Sequence, residues 1–285
     1  LGFWFSIFLV ISFGQNIDNY NNNWVFGQSN RMNFTGGGPT VTSVTSAIDG
    51  AEGVASISDG FGNLLFYANV NTTFAVNRNL YGANHLPMPN GSNLMSHESA
   101  SQGIIITLDP ENCDQYYVFY VSNTAGYNLR YSKVDMTLNG GFGDVIPGQK
   151  DVLLFTTQSE QVTIARKGFS KYFWVVTRQS VAGTPSDSFV AIDLLPGGTF
   201  GAPVISGFSV PPATMGGAGY ISFNNNDTEC FTVNFAGNQI NKYAFDNLTG
   251  AFSNKINVVN DINKKPYGAC YNVDNTEVFV TYYDQ

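Results

Sequence analysis

Four side chains stand just ahead of apolar runs and carry most of the chemistry this sequence offers. Glu52 precedes Gly53-Val54-Ala55-Ser56-Ile57, Gln102 precedes Gly103-Ile104-Ile105-Ile106, and Glu160-Gln161 precede Val162-Thr163-Ile164-Ala165. Two carboxyls converging on one glycosidic bond, one as acid and one as nucleophile or base, are what a glycoside hydrolase needs. Asn71 and Asn123, from neighbouring loops, complete a candidate ligand site of Glu52, Gln102, Glu160, Gln161, Asn71 and Asn123. The plainer reading is preferred: these side chains bond strand-end amides and water. No Arg cluster is present to clamp a sialic carboxylate, and no Asp-box hairpin repeats. No catalytic residue, metal or cofactor is therefore assigned, and the chain is expected not to be an enzyme.

Other motifs point the same way. His97-Glu98 lacks a second His at metalloprotease spacing, and two histidines exclude a three-His zinc site. No GxSxG nucleophile elbow occurs. Gly36-Gly37-Gly38 runs into Pro39 and Gly216-Gly217-Ala218-Gly219 into a strand, so neither feeds a phosphate to a helix N-terminus. Asp59, Asp227 and Asp274 sit at equivalent turns. Each turn has too few acids for calcium, so Asx bonding to turn amides explains them better.

What must position the four strand-head residues is a repeat. A unit of about fifty residues recurs, in which a small-residue step enters an apolar strand, crosses a polar turn and returns as a strand rich in Phe and Tyr. The copies begin at Gly53, Gly103, Val162, Gly219 and Tyr267. Strands repeating at this period predict an all-β, WD40- or YVTN-like β-propeller, with inner strands around a channel and about 45–60 residues per blade. Four blades are expected: 53–95, 103–156, 162–208 and 219–259. Part of a fifth ends the chain, leaving the ring incomplete in a fragment of a longer protein. Either Trp24–Phe34 or Thr40–Ile48 is expected to complete the last blade. Tyr116, Val118 and Tyr120 alternate with Tyr117, Phe119 and Val121, as in strands that pack on both faces.

The chain has 285 residues, 43% hydrophobic and 12% charged, with a net charge of −8. That balance argues against nucleic acid and against anionic lipid. Residues 1–14 (LGFWFSIFLVISFG) resemble a clipped signal peptide, too short to span a membrane, and 15–285 form the propeller domain. Of the three cysteines, Cys230 and Cys270 fall on neighbouring blades and could meet; buried thiols are preferred for all three, Cys113 included. Tyr20, Tyr81 and Tyr127 lie in loop-like sequence and are the aromatics best placed for exposed contact, although ordinary loop packing is the preferred reading even there.

Several blocks are more specific. Asn23-Trp24-Val25-Phe26-Gly27, Asp59-Gly60-Phe61-Gly62-Asn63-Leu64-Leu65-Phe66-Tyr67, Val76-Asn77-Arg78-Asn79 and Ser101-Gln102-Gly103-Ile104 are followed by the block 130–145, Arg130-Tyr131-Ser132-Lys133 through Gly143-Asp144-Val145. Together they resemble the N-terminal region of large secreted Bacteroidetes proteins that carry a gliding-motility-associated C-terminal domain. The resemblance runs from about Asn22 to the chain end. It implies a WD40-like or YVTN-like propeller, export by the general and type nine machineries, and release or display at the cell surface. The sorting domain that engages that machinery is absent from this sequence. The expected function is a non-catalytic secreted or surface module that presents loops to an extracellular protein or polysaccharide, in adhesion or gliding. The alternatives are a propeller glycoside hydrolase and a structural spacer in a surface fibre.

Overall fold

The computed structural model describes residues 17–28, 30–35, 38–43, 49–50, 52–71, 77–97, 99–122, 128–156, 160–181, 184–208, 217–260 and 264–283. The leader 1–14, Asn123 and Tyr127 lie outside them. Apart from two short 3-10 turns, Ile17–Asn21 and Asn139–Gly141, the regular structure there is strand. All pairings between these strands are antiparallel.

A leading sheet comes first, with β1 (Asn23–Gln28), β2 (Asn30–Asn33), β3 (Thr40–Ser43) and β4 (Asp49–Gly50) in the order β3-β2-β1-β4. The first sheet holds β5 (Val54–Ser58), β6 (Leu64–Asn71) and β7 (Asn77–Gly82). The second holds β8 (Ile104–Asp109), β9 (Asn112–Ser122), β10 (Asn128–Asp135), β11 (Asp144–Val145) and β12 (Val152–Thr156). The third holds β13 (Val162–Arg166), β14 (Phe173–Val181), β15 (Thr184–Leu195), β16 (Thr199–Phe200) and β17 (Val204–Gly207). The fourth holds β18 (Gly219–Phe223), β19 (Glu229–Asn234), β20 (Gln239–Asp246) and β21 (Ala251–Asn260), and the fifth β22 (Lys265–Tyr271) and β23 (Val278–Tyr283). In each of these five sheets the first strand is an edge. Those edges pack in chain order, β5 on β8, β8 on β13, β13 on β18 and β18 on β22. The result is an all-β, propeller-like succession of sheets.

The alternation seen in the sequence explains why the sheets stack face to face. On β9, Tyr116, Val118 and Tyr120 enter a core with Phe66, Ala68 and Leu80 of the first sheet. Tyr117, Phe119 and Val121 enter a separate core with Phe173, Val175 and Val190 of the third. β14 repeats the device, with Phe173 and Val175 facing back and Trp174 and Val176 facing on to Tyr243 and Phe245. Successive strand residues point to opposite faces, so one strand serves two cores. Full burial of each large side chain contributes about 1.5–3 kcal/mol.

The N-terminal strands pair with one another. Trp24 pairs with Met32, and Met32 with Val41, inside the leading sheet. Asn23 fastens that sheet to the first one: its buried amide donates to Ser58 Oγ at 2.9 Å and to the Gly62 carbonyl at 2.8 Å. Its Oδ1 accepts from Arg31 Nε and Asn33 Nδ2, each at 2.8 Å. A buried amide so fully satisfied fixes these strands beside β5.

Gly219 is needed where β18 begins. Its φ is +147°, and a Cβ there would lie 2.0 Å from the Val233 carbonyl oxygen. Gly219→Ala is expected to lower the unfolding free energy by about 2–4 kcal/mol, read as a lower urea midpoint, because backbone rather than a movable side chain blocks the methyl.

Candidate functional site

The heads of the edge strands meet, and main-chain pairing brings them together. Gln102 and Gln161 form a parallel bridge. The Gln102 N–H donates to the Glu160 carbonyl at 3.3 Å, and the Val162 N–H to the Gln102 carbonyl at 2.9 Å. Here the plainer sequence reading holds for the two amides. Gln102 acts like one more strand residue against β18: its Nε2 donates to the Ile221 carbonyl at 2.9 Å and its Oε1 accepts from the Ile221 N–H at 2.8 Å. Gln161 Nε2 donates to the Gly217 carbonyl at 2.9 Å. A carboxamide supplies one donor and one acceptor face, which suits an edge strand's alternating groups. Ser101 repeats the pattern, with Oγ donating to the Gly219 carbonyl at 2.8 Å and accepting its N–H at 2.9 Å.

The two carboxyls differ from the amides and from each other. Glu160 is half-buried, with Oε2 accepting the Ser101 N–H at 3.5 Å. A Cβ on Gly217 would lie 3.2 Å from its Oε1, so the glycine makes room for the carboxyl. Burial pushes the Glu160 carboxyl above the usual range; the Ser101 N–H partly offsets this, and the nearby charge of Glu52 adds to it. Glu52 is exposed, and its Oε1 accepts the Tyr267 hydroxyl at 2.9 Å. Burial, followed by the hydrogen bond and charge of Glu52 and the charge of Glu160, raises the Tyr267 phenol. Groups from the first, third and fifth sheets thus form one cluster, with Tyr267 completing it.

Sequence reasoning missed Ser101 and Tyr267. The signal for Tyr267 was present: it precedes Gly268 as Glu52 precedes Gly53 and Gln102 precedes Gly103. Of the remaining candidates, Asn71 ends β6 opposite Asn77, at the same end of the first sheet as Glu52. Asn123 lies outside the described residues.

Glu52 and Gln102 line a cavity of about 1070 Å³ between β1, β5, β8 and β13. Its walls include Ile104, Val162 and Tyr220. Among the described residues, no three His, Cys, Asp or Glu side chains gather to hold a metal ion, and no helix is long and apolar enough to cross a membrane.

Several sequence expectations are settled away from the site. Asp59 Oδ1 accepts the Phe61 and Asn63 amides at 2.9 and 2.8 Å, and Asp274 Oδ1 the Thr276 amide at 3.2 Å, so both are turn-formers. Asp227 instead pairs with Arg166 of the third sheet at 2.6 Å. Tyr81 is no exposed contact: it is buried and stacked on Tyr67 at 5.3 Å. Tyr20 is half-buried against the core shared by the first and second sheets. Cys230 is buried and unbonded, but Cys113 and Cys270 are exposed, because each sits on a turn-proximal or outward strand position.

No protein family and no curated protein matches the sequence. Solved structures do. A protein from Lactobacillus plantarum is similar at 10% identity and TM-score 0.51, over 89% of this chain and 70% of that one. Hsv2 of Kluyveromyces lactis is similar at 9% identity and TM-score 0.52, over 93% and 69%. The periplasmic gluconolactonase PpgL of Pseudomonas aeruginosa is similar at 10% identity and TM-score 0.47, over 76% and 60%. At such identities the likeness concerns fold alone. The expectation that the chain is not an enzyme is nevertheless withdrawn: a fold of this kind does not decide whether the sites built on it carry chemistry.

Proposed function

We propose that this chain is a propeller hydrolase acting on polysaccharide outside the cell, with Glu160 as the acid and Glu52 as the base. One observation carries the reading: two carboxyls in unlike settings stand at neighbouring strand heads, Glu160 raised by burial and by the charge of Glu52, and Glu52 exposed and held by Tyr267. Paired carboxyls whose surroundings separate their protonation divide into acid and base. Glu160 gives its proton to the glycosidic oxygen as the carbon–oxygen bond breaks. Glu52 takes a proton from water as the water oxygen bonds to the anomeric carbon. The proton returns from Glu52 to Glu160 through solvent, and the products are two free sugar ends.

The reading takes the first to fourth sheets as successive blades and β22–β23 as part of a fifth. The chain-order packing of the edge strands supports this, as does the Tyr267–Glu52 hydrogen bond between fifth and first sheets. Location outside the cell rests on the apolar leader and on the resemblance to secreted gliding-associated proteins. The test is release of reducing ends from a panel of plant, fungal and bacterial polysaccharides. Hydrolysis by the full chain that is lost in both Glu160→Gln and Glu52→Gln supports the assignment. Wild-type turnover in either variant refutes it.

A further inference from the structure

On β1, Trp24 and Phe26 alternate with the buried residues Asn23 and Val25, so the two rings share one face. That face lines the cavity that holds Glu52. Trp24 keeps 54% of its surface exposed and Phe26 38%, whereas the other described tryptophan, Trp174, is buried. The indole is held rather than loose: it packs on Phe34 with ring centroids 4.9 Å apart at 58°. The described lining residues include Glu52 and no Lys, Arg or His.

We propose that Trp24, with Phe26 beside it, is the stacking platform for a neutral sugar ring, so that the substrate is an uncharged polysaccharide. The inference rests on the hydrolase reading above and names its substrate class. A pyranose has an apolar C–H face that covers an exposed indole, and hydroxyl edges that hydrogen-bond to a carboxylate such as Glu52. A uronic acid or sulfated sugar would instead bring a negative charge beside Glu52 into a cavity that offers no counter-charge among its described residues. The charge pattern therefore selects against anionic polymers, while the rings hold neutral ones.

The test is calorimetric titration of the full chain carrying Glu160→Gln, which slows turnover enough to read binding. The probes are neutral hexasaccharides (cello-, xylo-, manno-, laminari- and maltohexaose) and, as the anionic comparison, hexagalacturonate. At least one neutral probe is expected to bind, with hexagalacturonate weaker. Adding Trp24→Ala is expected to weaken that binding about tenfold or more, as truncation of an aromatic anchor does. Trp24→Leu keeps an apolar side chain on β1 and gives the same test should alanine cost the fold. Binding of hexagalacturonate as tight as that of any neutral probe, an unchanged affinity without the indole, or no neutral binding overturns the proposal. The two readings separate cleanly. Trp24-dependent binding with no hydrolysis by the unmutated chain sinks the acid–base assignment and keeps the platform. Hydrolysis with Trp24-independent binding does the reverse.

Discussion

Replacing Asp187 with alanine is expected to lower the unfolding free energy by about 3–5 kcal/mol, the largest stability loss of any single change considered. Asp187 is fully buried on β15 at the junction of the third and fourth sheets. Both its oxygens accept the Tyr243 hydroxyl at 2.8 Å, Lys255 Nζ lies 2.5 Å away, and Arg178 Nη2 lies 3.4 Å away. The Arg178 guanidinium is itself 4% exposed, so removing the carboxylate takes a buried ion-pair partner from a cation in the core. Lys255 can turn its ammonium to solvent; Arg178 cannot. The cost is therefore expected to come mainly from the imbalance of buried charge rather than from lost packing. A companion variant separates the two. Asp187→Leu with Arg178→Met and Tyr243→Phe removes the carboxylate, the buried guanidinium and the hydroxyl together and is expected to recover most of the loss, since apolar replacement of a buried ion pair is often neutral. Urea unfolding of both variants measures the difference. Equal destabilisation would show that packing, not charge, is at stake.

Glu160→Gln is expected to lower hydrolysis about 10²- to 10⁴-fold, the usual contribution of a positioned general acid. Glutamine keeps the shape and the Ser101 contact but has no proton to give. The pH dependence follows from the same group. A general acid works only while protonated, so kcat/KM is high below the Glu160 midpoint and falls as pH rises through it. Burial and the charge of Glu52 raise that midpoint in the free protein, so the alkaline limb lies above the ordinary glutamate range. A kcat/KM profile whose upper limb sits in the ordinary carboxylate range would contradict the role.

Strand placement was largely legible in the sequence, because each strand is an apolar or alternating run bounded by Gly, Asn or Asp turns. Val162–Arg166 and Val152–Thr156 fall where the pattern puts them, and Val204–Gly207 and Ala251–Asn260 close their sheets as expected. The role of the N-terminal strands was not legible. What decides it is the side chain of Asn23, which joins residues far apart in sequence. The same limit applied to the site. The strand-head position of Glu52, Gln102, Glu160 and Gln161 could be found by register, but not which of them were already occupied. Gln102 and Gln161 spend their amides on the backbone of Ile221 and Gly217, while Glu52 accepts the Tyr267 hydroxyl and Glu160 the Ser101 N–H. Trp24 was hidden because an aromatic residue on a strand is ordinarily core, and only its 54% exposure beside the cavity separates it from that rule.

The convergence of two unlike carboxyls is the claim on which the functional account depends. Carbon-13 NMR of the glutamate side-chain carboxyls, titrated in the full chain and in Glu52→Gln, tests it without any substrate. The account predicts that Glu160 titrates above its ordinary value of 4.5 and moves downward when the Glu52 charge is removed. A Glu160 resonance that titrates at the ordinary value and ignores the loss of Glu52 would contradict it.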